Sequence, residues 1–255
     1  PRLDGATAAY PIYASAFYAL SVIPEDFHVW DYLDNSRTQE AYNKIVNGDA
    51  DIIFVAQPSD GQKKRAEKSG VTLLYTPFAR EAFVFIVNAD NPVNSLTEQQ
   101  VRDIFSGAIT NWRAVGGDDQ EIQTWQRPED SGSQTVMLSQ VMKNVRMISP
   151  QETEVASVME GMINVVAEYR NTKNAIGYTF RYYATQMNAD KNIKLLAING
   201  IAPTAENIRN DKYPYIVDAL MVTRENTTSE TQKLVEWFLT PQGQSLVEDV
   251  GYVPM

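Results

Sequence analysis

The sequence predicts an α/β fold divided between two lobes. Short apolar runs alternate with stretches of helical periodicity along the chain, which is the rhythm of an α/β protein. Several helical stretches also carry start and stop signals at their ends. A chain of 255 residues, 44% of them hydrophobic, buries one large core or two modest ones, and its length favours two.

The first strong elements are a helix over 39–46 and a strand over 50–56, followed by a second strand over 81–87. Thr97 then offers a cap that Gln100 answers three residues on. Val101, Ile104 and Phe105 supply the apolar face, and Gly107 stops that helix. A longer helix is predicted over 133–145. A C-terminal helix over 229–239 is closed by Pro241 and Gly243. Phe27, Val29 and Trp30 around His28 predict a strand leading into a loop at 31–37. No internal repeat or low-complexity linker interrupts the pattern.

Composition removes several function classes. No apolar run reaches the roughly 18 to 20 residues that span a bilayer, and Pro1-Arg2-Leu3-Asp4 lacks the layout of a signal peptide. With no cysteine there is no disulfide, thiolate metal site or cysteine nucleophile. A formal charge of −10 disfavours nucleic acid, which is bound through many Lys and Arg residues on one face. It does not disfavour a small oxyanion, which a few oriented N–H groups and one or two local cations hold.

Three segments join small or hydroxyl residues to a helix start: Gly5-Ala6-Thr7-Ala8, Ser36-Arg37-Thr38-Gln39 and Ser131-Gly132-Ser133-Gln134. Such a start leaves about four backbone N–H groups unpaired and adds roughly half a positive charge, so each is a candidate anion cradle as well as an ordinary cap. Arg127 stands four residues before Ser131, and its planar guanidinium pairs two oxygens at once. Gly132 between two hydroxyls permits close backbone approach. Glu129 is placed to hold Arg127, although an exposed loop pair is the simpler reading.

These segments resemble the phosphate-binding proteins of ABC transporters, the PstS type. The likeness covers nearly the whole chain. It rests on Gly5-Ala6-Thr7 with Pro11 and Tyr13, on Val101-Arg102-Asp103-Ile104-Phe105-Ser106-Gly107 with Ile109-Thr110-Asn111-Trp112, on Asn174-Ala175-Ile176-Gly177-Tyr178, and on the ending Gly251-Tyr252-Val253-Pro254. The resemblance implies a two-lobed type II periplasmic-binding-protein fold, each lobe a mixed sheet flanked by helices. The strands at 83–87 and 175–180 become paired crossings, with lobe I at 1–82 and 182–255 and lobe II at 83–181. It implies phosphate contacts from Thr7, the N–H of Ala8, Thr38 or nearby Ser36, Arg127, Ser131, Gly132 and Ser133.

One departure stands out. Family members often carry an aspartate before the proline of this loop, where it accepts the proton of monohydrogen phosphate, but this chain reads Val55-Ala56-Gln57-Pro58. A buried carboxylate there repels fully ionised sulfate, so its loss weakens discrimination. Glu81 is the expected substitute and Gln57 a neutral second candidate; the alternative for Glu81 is an ordinary solvated side chain.

His28, the only histidine, does not suffice for a catalytic triad or a histidine-rich metal site. Asp49, Asp51, Asp118, Asp119 and Glu121 lack calcium-loop spacing. Met137, Met142 and Met147 keep no single helical face, so some pack in the core and others are exposed. Tyr10, Tyr42 and Tyr178 line a cleft or pack in the core. The expected protein is an extracytoplasmic, monomeric solute-binding protein, secreted or lipid-anchored, without cofactor or metal. It captures inorganic phosphate between its lobes, closes on it and serves an ABC permease. Two other readings are an anion-sensing or adhesion domain and a phosphate-ester hydrolase using Ser131 or Ser133, for which no general base or metal cluster is visible.

Overall fold

The computed structural model describes residues 1–22, 28–149, 173–188 and 192–255. In chain order the elements are β1 (Leu3–Gly5), a 3-10 turn at Thr7–Ala9 running into α1 (Tyr10–Leu20), a 3-10 turn at Val29–Asp31, α2 (Arg37–Asn47), β2 (Ile52–Val55), α3 (Asp60–Lys68) and β3 (Leu73–Asn88). There follow β4 (Ser95–Leu96), α4 (Glu98–Ser106), a 3-10 turn at Trp112–Val115, β5 (Gln123–Thr124), α5 (Gly132–Val136) with a π-helical continuation at Met137–Met142, and β6 (Ala175–Phe180). Another π-helical turn (Tyr183–Met187), β7 (Ile193–Leu195), β8 (Ala197–Ile198), α6 (Ala205–Arg209), β9 (Ile216–Arg224), α7 (Ser229–Phe238), α8 (Pro241–Val250) and β10 (Val253–Pro254) complete the chain. Two compact units result, one of Pro1–Glu81, Asp130–Gly132 and Val217–Met255, the other of Ala82–Glu129 and Ser133–Ile216.

In the first unit β1 runs parallel to β2, and β2 antiparallel to β9. All four residues of β2 are buried, as expected of a strand covered on both faces. Successive side chains point to opposite faces. Ile53 and Val55 therefore join Ala41, Tyr42, Ile45 and Val46 of α2. Phe54, on the other face, stacks on Tyr13 with centroids 4.9 Å apart and packs on Phe78 and Phe238. β10 closes this unit against Ala79 and Arg80 of β3, and the Tyr252 hydroxyl donates to the Ala8 carbonyl at 2.5 Å.

In the second unit β3 pairs antiparallel with β6 and β7, and β5 lies parallel to β6. Phe83, Phe85, Phe105 and Tyr178 form one aromatic cluster. The expected capping box of α4 is present, Thr97 accepting from Gln100 N–H at 3.1 Å, and Gly107 ends the helix at φ 82°.

Three expectations need correction. The return boundary lies at 216–217 rather than 181–182, because β7 also pairs with β3 inside the second unit and Phe83 N–H donates to Tyr215 O at 2.9 Å, while Asp130–Gly132, expected in lobe II, belong to the first unit. The helix predicted over 133–145 ends at Met142, where Lys143 turns to φ 52°. The helix predicted over 229–239 is present as α7 and ends ahead of Pro241, which also opens α8: there its missing N–H costs nothing, and Thr240 caps that helix on Gly243 N–H at 3.2 Å. No strand forms at His28: Val29–Asp31 is a 3-10 turn with Trp30 exposed, and pairing here is reduced to a single bridge between Leu3 and Leu33. Phe27, part of that expectation, lies outside the described residues.

Candidate functional site

All three predicted cradles are helix starts. The first is set by β1. A side chain on Gly5 would stand 2.4 Å from the Phe54 carbonyl, so only glycine lets β1 approach β2 this closely, and Ala6 N–H then donates to Phe54 O at 2.9 Å. The first helical bond of the following run is given by Ala9 N–H to Ala6 O, which leaves the amides of Thr7 and Ala8 ahead of the ladder. Thr7 is half-buried and Ala8 buried.

The second cradle is bound to the first by Asp4, a residue absent from the sequence-based candidates. Asp4 Oδ1 accepts from Gly5 N–H at 2.7 Å and Ser36 N–H at 2.8 Å, while Oδ2 accepts from the Ser36 hydroxyl at 2.5 Å. Lys44 Nζ stands 3.2 Å away and balances the charge. Asp4 is 1% exposed, and one carboxylate thus fastens both loops from beneath. Ser36 spends its hydroxyl proton on Asp4, leaving Thr38 as the hydroxyl donor of this loop. Arg37, first residue of α2, adopts φ 72° and its side chain is exposed. Thr38 is buried.

Ser131 and Gly132 belong to the same unit. A Cβ on Gly132 would lie 3.3 Å from Thr38 Oγ1 and 3.4 Å from Ala56 Cβ, so the glycine backbone comes up against Thr38 from 94 positions along the chain (132 less 38). Structure therefore brings Thr38, Ala56 and Gly132 together, and Gly5 and Ser36 onto Asp4. Glu81 is 3% exposed inside β3, which excludes the solvated reading, and Gln57 is half-buried.

In the second unit Arg127 is held by its backbone: its N–H is shared between Tyr178 Oη at 3.0 Å and Gln134 Oε1 at 3.3 Å. Tyr178 donates its own hydroxyl to Gln134, and burial pushes that phenol far above its ordinary pKa. Glu129 is exposed. Ser133 is 1% exposed and its Oγ has no hydrogen-bond partner among the described residues. A buried hydroxyl without a partner is costly, by roughly 1 to 3 kcal/mol, and a ligand oxygen is one way to satisfy it.

Tyr42 and Tyr178 are core residues, and Tyr10 is half-buried. Met137 and Met142 are buried and Met147 partly exposed. Among the described residues no group of three His, Cys, Asp or Glu is placed to hold a metal, and no helix is long and apolar enough to cross a membrane.

Residues 2–242 match the family described as PBP superfamily domain. The chain is 26% identical over 183 residues to the phosphate-binding protein PstS of Borreliella burgdorferi, covering 70% of this chain and 64% of that protein. It is 29% identical over 171 residues to PstS of Bacillus subtilis, covering 66% of this chain and 53% of that one. It therefore spans between half and two thirds of these relatives' length. Among solved structures, a Clostridium perfringens protein provisionally assigned as a phosphate ABC transporter substrate-binding protein, with bound phosphate, superposes with TM-score 0.79 at 23% identity over 100% of this chain and 98% of that one. An ABC-type phosphate transport receptor from Vibrio cholerae gives TM-score 0.72 at 21% identity, over 100% and 99% of the two chains.

Proposed function

The chain belongs to the PBP superfamily, and from that premise we propose that it is an extracytoplasmic solute-binding protein that captures inorganic phosphate and delivers it to an ABC permease. The observation that carries this reading is the approach of the Gly132 backbone to Thr38 Oγ1, with the Thr7–Ala8 amides and the Thr38 loop fastened to one another through Asp4. Thr7, Ala8, Thr38, Ser131 and Gly132 are the proposed donors to a dehydrated tetrahedral anion. Arg127 and Ser133 are further candidates, the latter because its buried hydroxyl lacks any other partner among the described residues.

The protein acts as a monomer held at or released from the cell surface, and it is not an enzyme. The unpartnered Ser133 hydroxyl speaks against the hydrolase reading too, since a serine nucleophile needs a base in hydrogen-bond reach. Glu81, buried as a proton acceptor must be, supplies selectivity over sulfate.

Calorimetric titration of refolded, ligand-stripped protein with phosphate and then sulfate tests the reading. Phosphate is expected to bind and sulfate to compete poorly, and Arg127→Ala to cost about 1.5 to 3 kcal/mol of binding. Absence of phosphate binding overturns the function. Unchanged affinity in Arg127→Ala removes Arg127 from the site, and unchanged sulfate rejection in Glu81→Gln removes Glu81.

A further inference from the structure

The α3 capping box does two jobs. Ser59 Oγ accepts from Gln62 N–H at 3.1 Å, and Gln62 Oε1 accepts from Ser59 N–H at 2.9 Å, which is the usual reciprocal cap. Both side chains then reach past the helix to one further residue. The Ser59 hydroxyl donates to Asp130 Oδ1, and Gln62 Nε2 donates to the Asp130 carbonyl at 3.2 Å. Gln62 is 2% exposed, although glutamine is ordinarily a surface residue, and both ends of its amide are engaged in this arrangement.

Asp130 needs such a clamp. It adopts φ 66°, a left-handed backbone that aspartate tolerates better than most residues but still at a cost. Strain of this kind persists where surrounding bonds over-determine it, and often at ligand sites. The α3 N-terminus also favours the carboxylate electrostatically. Two residues on, the same segment brings Gly132 so near Thr38 that a Cβ on it would lie 3.3 Å from Thr38 Oγ1.

We propose that Asp130 is a positioning residue for the anion: clamped by Ser59 and Gln62, it seats Ser131 and Gly132 against Thr38. It acts through those residues and does not itself touch the ion. The inference rests on the phosphate-binding reading and deepens it, since it makes affinity depend on a contact outside the donor set.

The test is phosphate titration of the whole chain as wild type, Asp130→Gly, Asp130→Asn, Ser59→Ala and the Asp130→Gly/Ser59→Ala double variant. Glycine keeps the left-handed backbone and the carbonyl that Gln62 holds but removes the Ser59 half of the clamp, so phosphate binding weakens about tenfold while the thermal midpoint of ligand-free protein stays within about 4 °C. Asparagine keeps both the backbone preference and an acceptor for Ser59, and restores binding to within about threefold of wild type. Ser59→Ala weakens binding about tenfold, and the double variant is no weaker than the worse single, as expected of two ends of one contact. Wild-type affinity in Asp130→Gly, or losses that multiply to about a hundredfold in the double variant, overturn the proposal. So does a tenfold loss in Asp130→Asn together with lost rejection of sulfate, which makes the charge itself a ligand contact. If the wild type binds no phosphate, the function falls, and amide hydrogen exchange at Ser131 and Gly132 decides this inference separately: exchange in ligand-free Asp130→Gly must exceed that of the wild type, and equal exchange rejects the clamp.

Discussion

The Ser36 hydroxyl donates to Asp4 Oδ2 across 2.5 Å, in a place where Asp4 also accepts from the amides of Gly5 and Ser36. A strand residue thereby sets the spacing of two helix starts, beside the backbone bonds that Leu3 makes to Tyr32 and Asp34. Asp4→Ala leaves three donors without their acceptor and takes one of its two carboxylates from Lys44. Stability is expected to fall by about 2 to 3 kcal/mol in urea unfolding, with phosphate affinity falling as well. An unchanged unfolding midpoint contradicts the role given to Asp4.

Gly132 has little room to change. A methyl group there meets Thr38 Oγ1 at 3.3 Å and Ala56 Cβ at 3.4 Å, contacts that small movements relieve at a cost of about 1 kcal/mol or less. The same movements displace Thr38. Gly132→Ala is therefore expected to weaken phosphate binding about tenfold with a small stability change, read by calorimetry and thermal unfolding side by side.

Ser133→Ala separates a binding role from a structural one by sign. Its buried Oγ has no partner among the described residues, so alanine is expected to leave ligand-free protein as stable or more stable, by up to about 1 kcal/mol. Stabilisation by added phosphate is expected to shrink in the same variant. Equal shifts with and without phosphate remove Ser133 from the binding set.

Acid weakens the first unit through Asp51 and Asp34. Burial pushes the Asp51 carboxyl up, but bonds from Arg2 N–H at 2.7 Å and Nη2 at 3.0 Å outweigh it, and the net pKa is lowered. The Lys44 ammonium bonded to Asp34 lowers that carboxyl too. A folded pKa below the unfolded one gives stability that is present above pH about 4 and lost as pH falls through the folded values. Urea midpoints at pH 3 are expected below those at pH 7, with a smaller fall in Arg2→Met. A midpoint that rises on acidification contradicts both assignments.

Much of this was legible in the sequence because local chemistry wrote it there. The Thr97 and Gln100 cap and the Gly107 stop are complete within eleven residues, and the three hydroxyl-bearing helix starts lie where their small residues put them. What stayed hidden depends on partners far along the chain. Asp4 looks like any acid in a short strand until Ser36 arrives 32 positions later, and Asp130 like any loop acid until it meets Ser59 from 71 positions earlier. Pro241 closed the helix where expected, but the helix it opens went unread, since a proline that stops one helix equally starts the next. The boundary at 216–217 was missed because β7 also returns to β3, a pairing no periodicity reveals.

The first unit draws on both ends of the chain: β2 waits for β9, β3 for β10, and the Ala8 carbonyl for a hydroxyl 244 positions later. During synthesis β2 therefore has an open edge until residue 223 has left the ribosome, and the unit cannot lock before residues 253 and 254 emerge to pair with β3. Every strand of the second unit has been made by then, so the first unit is the later of the two to close.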